Sequence, residues 1–451
     1  GCHYMANFMP DRNTDMTSQM GGEGIAWLGQ YFATDEDHMF VNLGDGTYSH
    51  SGSLAIRAAV SSKANMTYKI LYNDAVAMTG GQHVESGQTP VNIAQQVEAE
   101  GVTKIVIVTE DPTRYAGVKG LPRSVRIYDR EKMDEVQRML RDTPGVSVLI
   151  YDQICATEKR RRSKRGLRKP DRVRVMINQE VCEGCGDCSV KSNCLSVEPV
   201  ETDLGRKRRI NQSTCNTDLS CLRGFCPSFV TIKDGHFAAE DEPGLDVDAS
   251  GLPLPDLPSV AKPWNVLFTG VGGTGVTTVA AVLAMAAHVD GNASSSLDMT
   301  GLAQKGGPVL SHLRFAKHPE LISTGRVPPA SADAVIACDL VVAASGDALG
   351  LMDVGRTVAS ANADVTPTSE FIRDRSKKFE SQLLAARVKR QARDFGTIDA
   401  EALALLYLND AIYTNMIMVG YAWQKGHLPV SLRGLYRAIK LNGVKVEENM
   451  K

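Results

Sequence analysis

The sequence predicts a multidomain α/β protein: a parallel-sheet domain first, a small cysteine-rich domain in the middle, and a Rossmann-like α/β domain last. Three observations carry this. Short, continuously apolar runs alternate with helical stretches over residues 1–155, the pattern of strands buried on both faces of a parallel sheet. Seven of the ten cysteines then crowd into Cys182–Cys226. A glycine-rich strand-to-helix turn, Gly270-Val271-Gly272-Gly273-Thr274-Gly275, opens the remainder.

In the first domain, residues 1–155, strands are expected at His38–Leu43, Tyr68–Tyr72, Lys104–Val108 and Val146–Ile150. Ligands of such sheets sit at the carboxyl ends of strands, and two of those ends carry polar chemistry. The first strand runs into Gly44-Asp45-Gly46 and the second into Asn73-Asp74-Ala75, with 26 residues between Gly46 and Asn73 for a returning helix. The glycines let a diphosphate approach the backbone. Asp45 and Asn73 offer the hard oxygens that Mg2+ shares with phosphates. A lone Gly-Asp-Gly is a common turn; the pairing with Asn73 is the informative part. His3, His50 and His83 are candidate proton handlers, with a hydrogen-bonded structural histidine an equal alternative for each.

Residues 156–172 are strongly basic and lack interleaved aromatics, so they read as a solvated linker rather than a nucleic-acid site. A second basic patch, Arg206-Lys207-Arg208-Arg209, joins this run as a candidate dock for an acidic electron carrier.

The cysteines of residues 173–237 are spaced Cys182-x2-Cys185-x2-Cys188-x5-Cys194 and Cys215-x5-Cys221-x4-Cys226-Pro227. Three thiolates at the first rhythm can wrap one corner of an iron–sulfur cluster. In the bacterial two-cluster run, the cysteine followed by proline ligates the other cluster. That logic assigns Cys182, Cys185, Cys188 and Cys226 to a first, [4Fe-4S] cluster. Asp218 stands where the middle cysteine of the second half would be, leaving Cys194, Cys215, Cys221 and Asp218 for a [3Fe-4S] or [4Fe-4S] cluster. The spacings before Cys194 and Cys226 exceed the usual three, and no proline follows Cys194. Structural zinc prefers two CxxC pairs, and disulfides belong to oxidising compartments; both fit this set less well.

A linker rich in Asp, Pro and Gly, residues 238–263, leads to the last domain, residues 264–451. Its strand Trp264–Thr269 enters a GxGGxG turn, where Gly270, Gly272, Gly273 and Gly275 and a helix reaching about His288 form a phosphate site from N-terminal amides. No Lys-Ser/Thr follows, so this is not a Walker loop, and Asp298 is the sole acidic candidate for a dinucleotide ribose. Further strands are expected at Ala334–Cys338 and Leu340–Ala344, and helices at Phe379–Arg393 and Asp399–Trp423.

The net charge of −2 and charged fraction of 23% argue for neither nucleic acid nor membrane as partner. The most apolar stretch, Val266–Val289, is interrupted by glycines and reads as strand, turn and helix rather than a membrane span. The cysteine usage is that of a reduced, cytoplasmic metalloprotein. The chain opens Gly1-Cys2-His3 without an initiator methionine, as the C-terminal part of something longer would, or a processed chain.

The Gly-Asp-Gly…Asn pair resembles thiamine-diphosphate enzymes. Taken with the cysteine pattern and the glycine loop, in this order, it makes the whole chain resemble the 2-oxoacid:ferredoxin oxidoreductases, most closely the single-chain indolepyruvate type. The stretch Gln304–Arg314 looks like that family's gamma-domain signature, associated with coenzyme A and subunit contact. The resemblance implies a thiamine-diphosphate-binding parallel-sheet domain, a ferredoxin-like iron–sulfur domain and a Rossmann-like gamma domain. It implies that the Ala75 carbonyl is a further Mg2+ ligand, and that Cys2 and His3 lie near the thiamine as catalytic candidates. The expected reaction is oxidative decarboxylation of a 2-oxoacid, an arylpyruvate such as indolepyruvate, to acyl-CoA and CO2, with single electrons passing through the clusters to ferredoxin. In this family a glutamate from a pyrimidine-binding domain activates the thiamine. That domain is expected from a preceding region or a partner subunit, within a homodimer or larger oligomer. The alternative is an iron–sulfur electron-transfer subunit without carbon chemistry, against which the Gly-Asp-Gly…Asn pair argues. A non-oxidative thiamine decarboxylase would need none of the cysteines.

Overall fold

The computed structural model describes residues 6–7, 13–76, 84, 87–164, 166–169, 171–192, 194, 196–235, 251–300, 307–365 and 380–451. The chain forms two compact units, Gly1–Pro170 and Asp171–Lys451.

In the first unit, β1 (Met39–Gly44), β2 (Met66–Tyr72), β3 (Lys104–Thr109), β4 (Arg126–Asp129) and β5 (Val146–Asp152) form one sheet in the order β1-β2-β5-β3-β4. Every pairing is parallel. The four expected strands are present; the edge strand β4, Arg-Ile-Tyr-Asp, has too little apolar character to be signalled. β3 and β5 are buried almost end to end because helices cover both faces. On one face Ile105, Ile107, Val148 and Ile150 pack with α1 (Ser53–Ser62) and α2 (Pro90–Ala99) through Ile56, Ile93 and Val97. On the other, Val106, Val108 and Leu149 meet Val136 and Leu140 of α3 (Met133–Arg141). α2 starts where it does because Thr89 and Asn92 form a capping box, with Pro90 following the cap.

The basic run read as a solvated linker is helical over α4 (Ala156–Lys164). Its Glu158 is 4% exposed and holds Arg161 at 2.6 Å and Arg162 at 3.3 Å, i,i+3 and i,i+4 pairs that draw charge inward.

The second unit begins with the cysteine segment. There β6 (Val173–Ile177) pairs antiparallel with β9 (Phe229–Lys233), while β7 (Val197–Thr202) pairs with β8 (Gly205–Ile210) and α5 (Asp187–Ser192) precedes β7. A second sheet follows in the order β11-β12-β10-β13-β14-β15, from β10 (Trp264–Val271), β11 (Ala293–Thr300), β12 (Pro308–Ala316), β13 (Ala334–Ala337), β14 (Val358–Asn362) and β15 (Asp394–Ile398). β10, β13, β14 and β15 run parallel, as the Rossmann-like expectation requires, whereas β12 and β11 continue the sheet antiparallel. α6 (Val276–Val289) is buried against this sheet.

Two expected elements differ. Leu340–Ala344, expected as a strand for its apolar branched residues, is the short helix α7 (Leu340–Ala343). The Asp339 carboxylate accepts the Val342 N–H at 2.9 Å, and this cap outweighs β propensity. Within the Phe379–Arg393 expectation lies α8 (Ser381–Arg390). The single helix expected over Asp399–Trp423 is two, α9 (Ala400–Leu408) and α10 (Thr414–Gln424), separated where Asn409 turns left-handed at φ 55°. Of the linker 238–263, residues 238–250 lie outside those described. No helix among the described residues is long and apolar enough to cross a membrane.

Candidate functional site

β1 and β2 are parallel neighbours, Gly44 opposite Leu71, so their carboxyl ends deliver the Asp45 and Asn73 turns side by side. Asp45 is 4% exposed. Its Oδ1 accepts the Gly46 N–H at 2.8 Å, and its Oδ2 accepts the N–H groups of Asn73 and Asp74, both at 2.9 Å. One carboxylate thus ties the two turns together. Burial raises its pKa above the ordinary carboxylate value, opposed by the Asn73, Gly46 and Asp74 amides. Asp74 is left-handed, φ 54°, a conformation that Asp tolerates better than most residues.

The Oδ1 of Asn73 is buried without a hydrogen-bond partner, an exception that a bound ligand, ion or water satisfies in a native protein. Neither Gly44 nor Gly46 is required by packing. A Cβ on Gly44 would meet nothing within 4 Å, and one on Gly46 only the Val76 Cγ2 at 3.9 Å. The open backbone, the shared carboxylate and the unsatisfied amide oxygen fit a Mg2+-diphosphate group. Ala75, the third expected ligand position, is buried.

Other side chains at this sheet edge carried no motif. Asp152, ending β5 and 3% exposed, accepts the Tyr115 hydroxyl at 2.8 Å and the Arg114 guanidinium at 3.2 Å. Tyr72 is pushed up to about 12 by burial and then by Asp74, Asp152 and Asp45. Tyr151-Asp152 closing a buried strand was the available signal. His50 is exposed and bonded to Ser51 at 2.9 Å. Cys2, His3 and His83 lie outside the described residues.

The cysteine segment is a structural repeat. Cys182 N–H donates to the Asn178 carbonyl at 3.0 Å, and Asn178 N–H to the Ser228 carbonyl at 2.8 Å. In the other half Cys215 N–H donates to Asn211 at 3.0 Å, and Asn211 N–H to Ser196 at 2.8 Å. Gly184 and Thr217 N–H groups reach Cys182 and Cys215 Sγ, each at 3.4 Å. Asp218 therefore occupies the place of Cys185, and Cys226-x-Ser228 the place of Cys194-x-Ser196. Its carboxylate accepts the Ser220 N–H at 3.2 Å. Pairing of Ile177 with Phe229 brings the Cys226 strand end to the Cys182 loop, and pairing of Val197 with Ile210 does the same for Cys194 and Cys215.

The thiols other than Cys226 divide accordingly. Cys182, Cys185 and Cys188 act on Arg208, whose pKa is lowered by burial and by Arg206 and raised by those three. Cys221 is pushed up to about 12 by burial, then by Cys194, Cys215 and Asp218. Among the described residues, however, no three His, Cys, Asp or Glu side chains converge as ligands of one metal ion; Cys185 and Cys226 are exposed.

The basic patch 206–209 is only partly a free surface. Lys207 Nζ donates to the Cys182 carbonyl at 2.6 Å, Arg208 is 1% exposed, and Arg209 pairs with Glu198 at 3.2 Å. Gly184 is left-handed, φ 72°, and a Cβ there would collide with the Arg206 carbonyl oxygen. The strand thus braces the first cysteine loop through Lys207 and Arg208, while Arg209 stays exposed.

In the second sheet the Gly272 N–H donates to the Gly307 carbonyl at 2.7 Å, so the two glycine-bearing motifs adjoin. Gly273 and Gly275 have φ 93° and 94°, which only glycine adopts readily. Gly270 permits close packing, since a Cβ there would lie 2.6 Å from Val276 Cγ2.

One carboxyl cluster joins the cysteine segment to the second sheet. Asn211 Nδ2 donates to Glu198 at 2.8 Å and to Glu401, in the first turn of α9, at 3.4 Å. Burial, Asp364 and Glu198 push Glu401 up to about 8. Between the ordinary carboxyl value and about 8, the folded chain holds a proton that the unfolded chain has released. Stability is full below that window and falls as pH rises through it. Glu401→Gln, neutral at every pH, should flatten this dependence. From pH 5 to pH 9 the wild-type Tm should drop several degrees more than the variant's, since each pH unit inside that window costs up to about 1.4 kcal/mol. Equal slopes would remove Glu401 from this account.

Residues 1–151 match the family model of the thiamine pyrophosphate enzyme C-terminal TPP-binding domain. Residues 265–451 match that of pyruvate ferredoxin/flavodoxin oxidoreductase. The first unit's sheet is thus a thiamine pyrophosphate-binding domain. The chain belongs to the 2-oxoacid:ferredoxin oxidoreductase family. Among curated relatives, the indolepyruvate oxidoreductase subunit IorA of Thermococcus kodakarensis is 26% identical over 258 residues, covering 52% of this chain and 36% of that protein. The IorA of Archaeoglobus fulgidus is 28% identical over 232 residues, 51% of this chain and 34% of the relative. The IorB subunit of Pyrococcus horikoshii is 26% identical over 197 residues, 42% of this chain and 92% of the relative. The chain spans about a third of the length of these IorA proteins. The Thermotoga maritima pyruvate oxidoreductase subunit PORC aligns over 42% of this chain and 93% of its own at 16% identity, with a TM-score of 0.29 that carries no argument.

Proposed function

We propose that the full-length protein oxidatively decarboxylates a 2-oxoacid to acyl-CoA and CO2 and passes the electrons singly to ferredoxin or a similar low-potential carrier. The observation that carries this reading is the buried Asp45 carboxylate, tied by three backbone amides beside the unsatisfied Asn73 Oδ1. Asp45, Asn73 and the Ala75 carbonyl hold Mg2+, and Gly44 and Gly46 leave the backbone open to the diphosphate. When bound, thiamine diphosphate supplies the sink for the electron pair left by departing CO2. The turn of Gly270, Gly272, Gly273 and Gly275 is assigned to a coenzyme A phosphate, with amides offered at Gly273 and Gly275 because the Gly272 N–H is taken by the Gly307 carbonyl.

Cys182, Cys185, Cys188 and Cys226 are assigned to a [4Fe-4S] cluster. Cys194, Cys215 and Cys221 with Asp218 are assigned to a second cluster, [3Fe-4S] or [4Fe-4S]. The paired halves and the two-fold division of the thiols support this. An arylpyruvate such as indolepyruvate is the favoured substrate, on the strength of the IorA and IorB relatives. The pyrimidine-side domain comes from a preceding region or a partner subunit, in a cytoplasmic homodimer or larger assembly.

The test is an anaerobic assay of the full-length protein with thiamine diphosphate, Mg2+ and coenzyme A, following reduction of a low-potential dye. Indolepyruvate, phenylpyruvate, pyruvate and 2-oxoglutarate are offered in turn. Reduction fastest with an aryl substrate and dependent on both cofactors is expected. No reduction with any 2-oxoacid, with iron shown present, would leave only an electron-transfer subunit.

A further inference from the structure

We propose that Arg162, on α4, is a positioning residue for the Mg2+-diphosphate loop; this rests on the thiamine reading of Asp45 and Asn73. The residue lies beyond the 1–151 match to the thiamine pyrophosphate-binding family model, within a run whose composition suggests only a solvated linker. Its Nη2 donates to the Asp74 carbonyl at 3.5 Å, a long contact that gains from the cation's charge. The Asp74 N–H is held from the other side by Asp45 Oδ2 at 2.9 Å. Asp74 is therefore fixed at both its donor and its acceptor, in the left-handed conformation that sets the direction of the chain between Asn73 and Ala75.

Arg162 is itself fixed. Its Nε lies 3.3 Å from Glu158 Oε1, while Arg161 takes Oε2 of the same carboxylate at 2.6 Å. The Glu158 side chain is 6% exposed and that of Arg162 26% exposed. A buried carboxylate with two guanidinium partners holds both, because losing either leaves its desolvated charge less compensated. The ligating oxygens of Asn73 and Ala75 flank the residue that Arg162 grips. Loosening that grip costs cofactor affinity rather than chemistry, since Arg162 holds only the loop.

The test measures binding of thiamine diphosphate to the full-length protein by calorimetry across a Mg2+ series, beside Tm and steady-state rates. Arg162→Gln should weaken Mg2+-dependent binding about tenfold and raise the Mg2+ requirement, with kcat recovered at saturating cofactor. Arg162→Lys, which keeps the charge but not the fork, should restore part of the affinity. Glu158→Gln should weaken binding in the same direction by releasing the guanidinium, which supplies an independent reading should Arg162→Gln fold poorly. Arg138→Gln, at an exposed ion pair with Asp134, should change nothing. Wild-type affinity and Mg2+ dependence in Arg162→Gln, or in both Arg162→Lys and Glu158→Gln, would overturn the proposal. Absence of Mg2+-dependent binding in the wild type would overturn the thiamine reading instead.

Discussion

Asp45→Ala is expected to weaken Mg2+-dependent thiamine diphosphate binding by at least ~100-fold, and to abolish turnover at ordinary cofactor concentrations. Three backbone N–H groups converge on this carboxylate, and hydrogen bonds to a charged group contribute about 1.5–3 kcal/mol each. Removing the side chain strands three donors in a buried place, frees the two turns from one another, and deletes a hard oxygen from the metal. Losing about 2.8 kcal/mol already corresponds to a hundredfold. Asp45→Asn is the sharper version: it preserves shape, but its amide NH2 would face N–H groups on one side. Calorimetric titration with and without Mg2+ measures both. Affinity within a factor of three of wild type would show that the turn is structural and that the cofactor sits elsewhere.

Cys188→Ser and Cys221→Ser should each remove one iron–sulfur site, lowering iron per chain by about half while leaving the other site's EPR signal in place. The structural effect should be as large as the spectroscopic one. The hydrophobic core of this segment consists of five buried residues, Val175, Ile177, Cys182, Val197 and Ile210. So small a core rarely stabilises a fold without a metal or disulfide staple. Each variant should therefore expose residues 173–233 to protease well below the wild-type unfolding temperature. Zinc in place of iron in the wild type, or unchanged iron in both variants, would discard the cluster assignment.

Much of the first sheet was legible because its strands are buried on both faces, so apolar runs such as Lys-Ile-Val-Ile-Val at 104–108 have little alternative. The paired turns at Asp45 and Asn73 were legible for a similar reason: a parallel sheet must deliver its strand ends to one edge. The tie between them was not, because a carboxylate bonding amides 28 and 29 residues away leaves no periodic trace. Leu340–Ala343 misled through its branched apolar residues; one capping aspartate decided it. The basic run at 156–164 misled more deeply. Charge composition speaks of solvent, yet Glu158 inside the run turned two arginines toward buried partners. The patch at 206–209 shows the same rule, since Lys207 and Arg208 serve the adjoining cysteine loop.

The cysteine segment has one further property. Its first and last strands lie side by side, with Val173 opposite Lys233, while its two middle strands pair only with each other. Chain enters and leaves at one point, and among the described residues no strand within pairs with one outside. Cutting anywhere between would orphan a strand, whereas the contacts that tie the segment to the rest of its unit are made by side chains, such as Asn211 on Glu401. That makes its backbone self-closing: the ladders are complete between two adjacent chain ends.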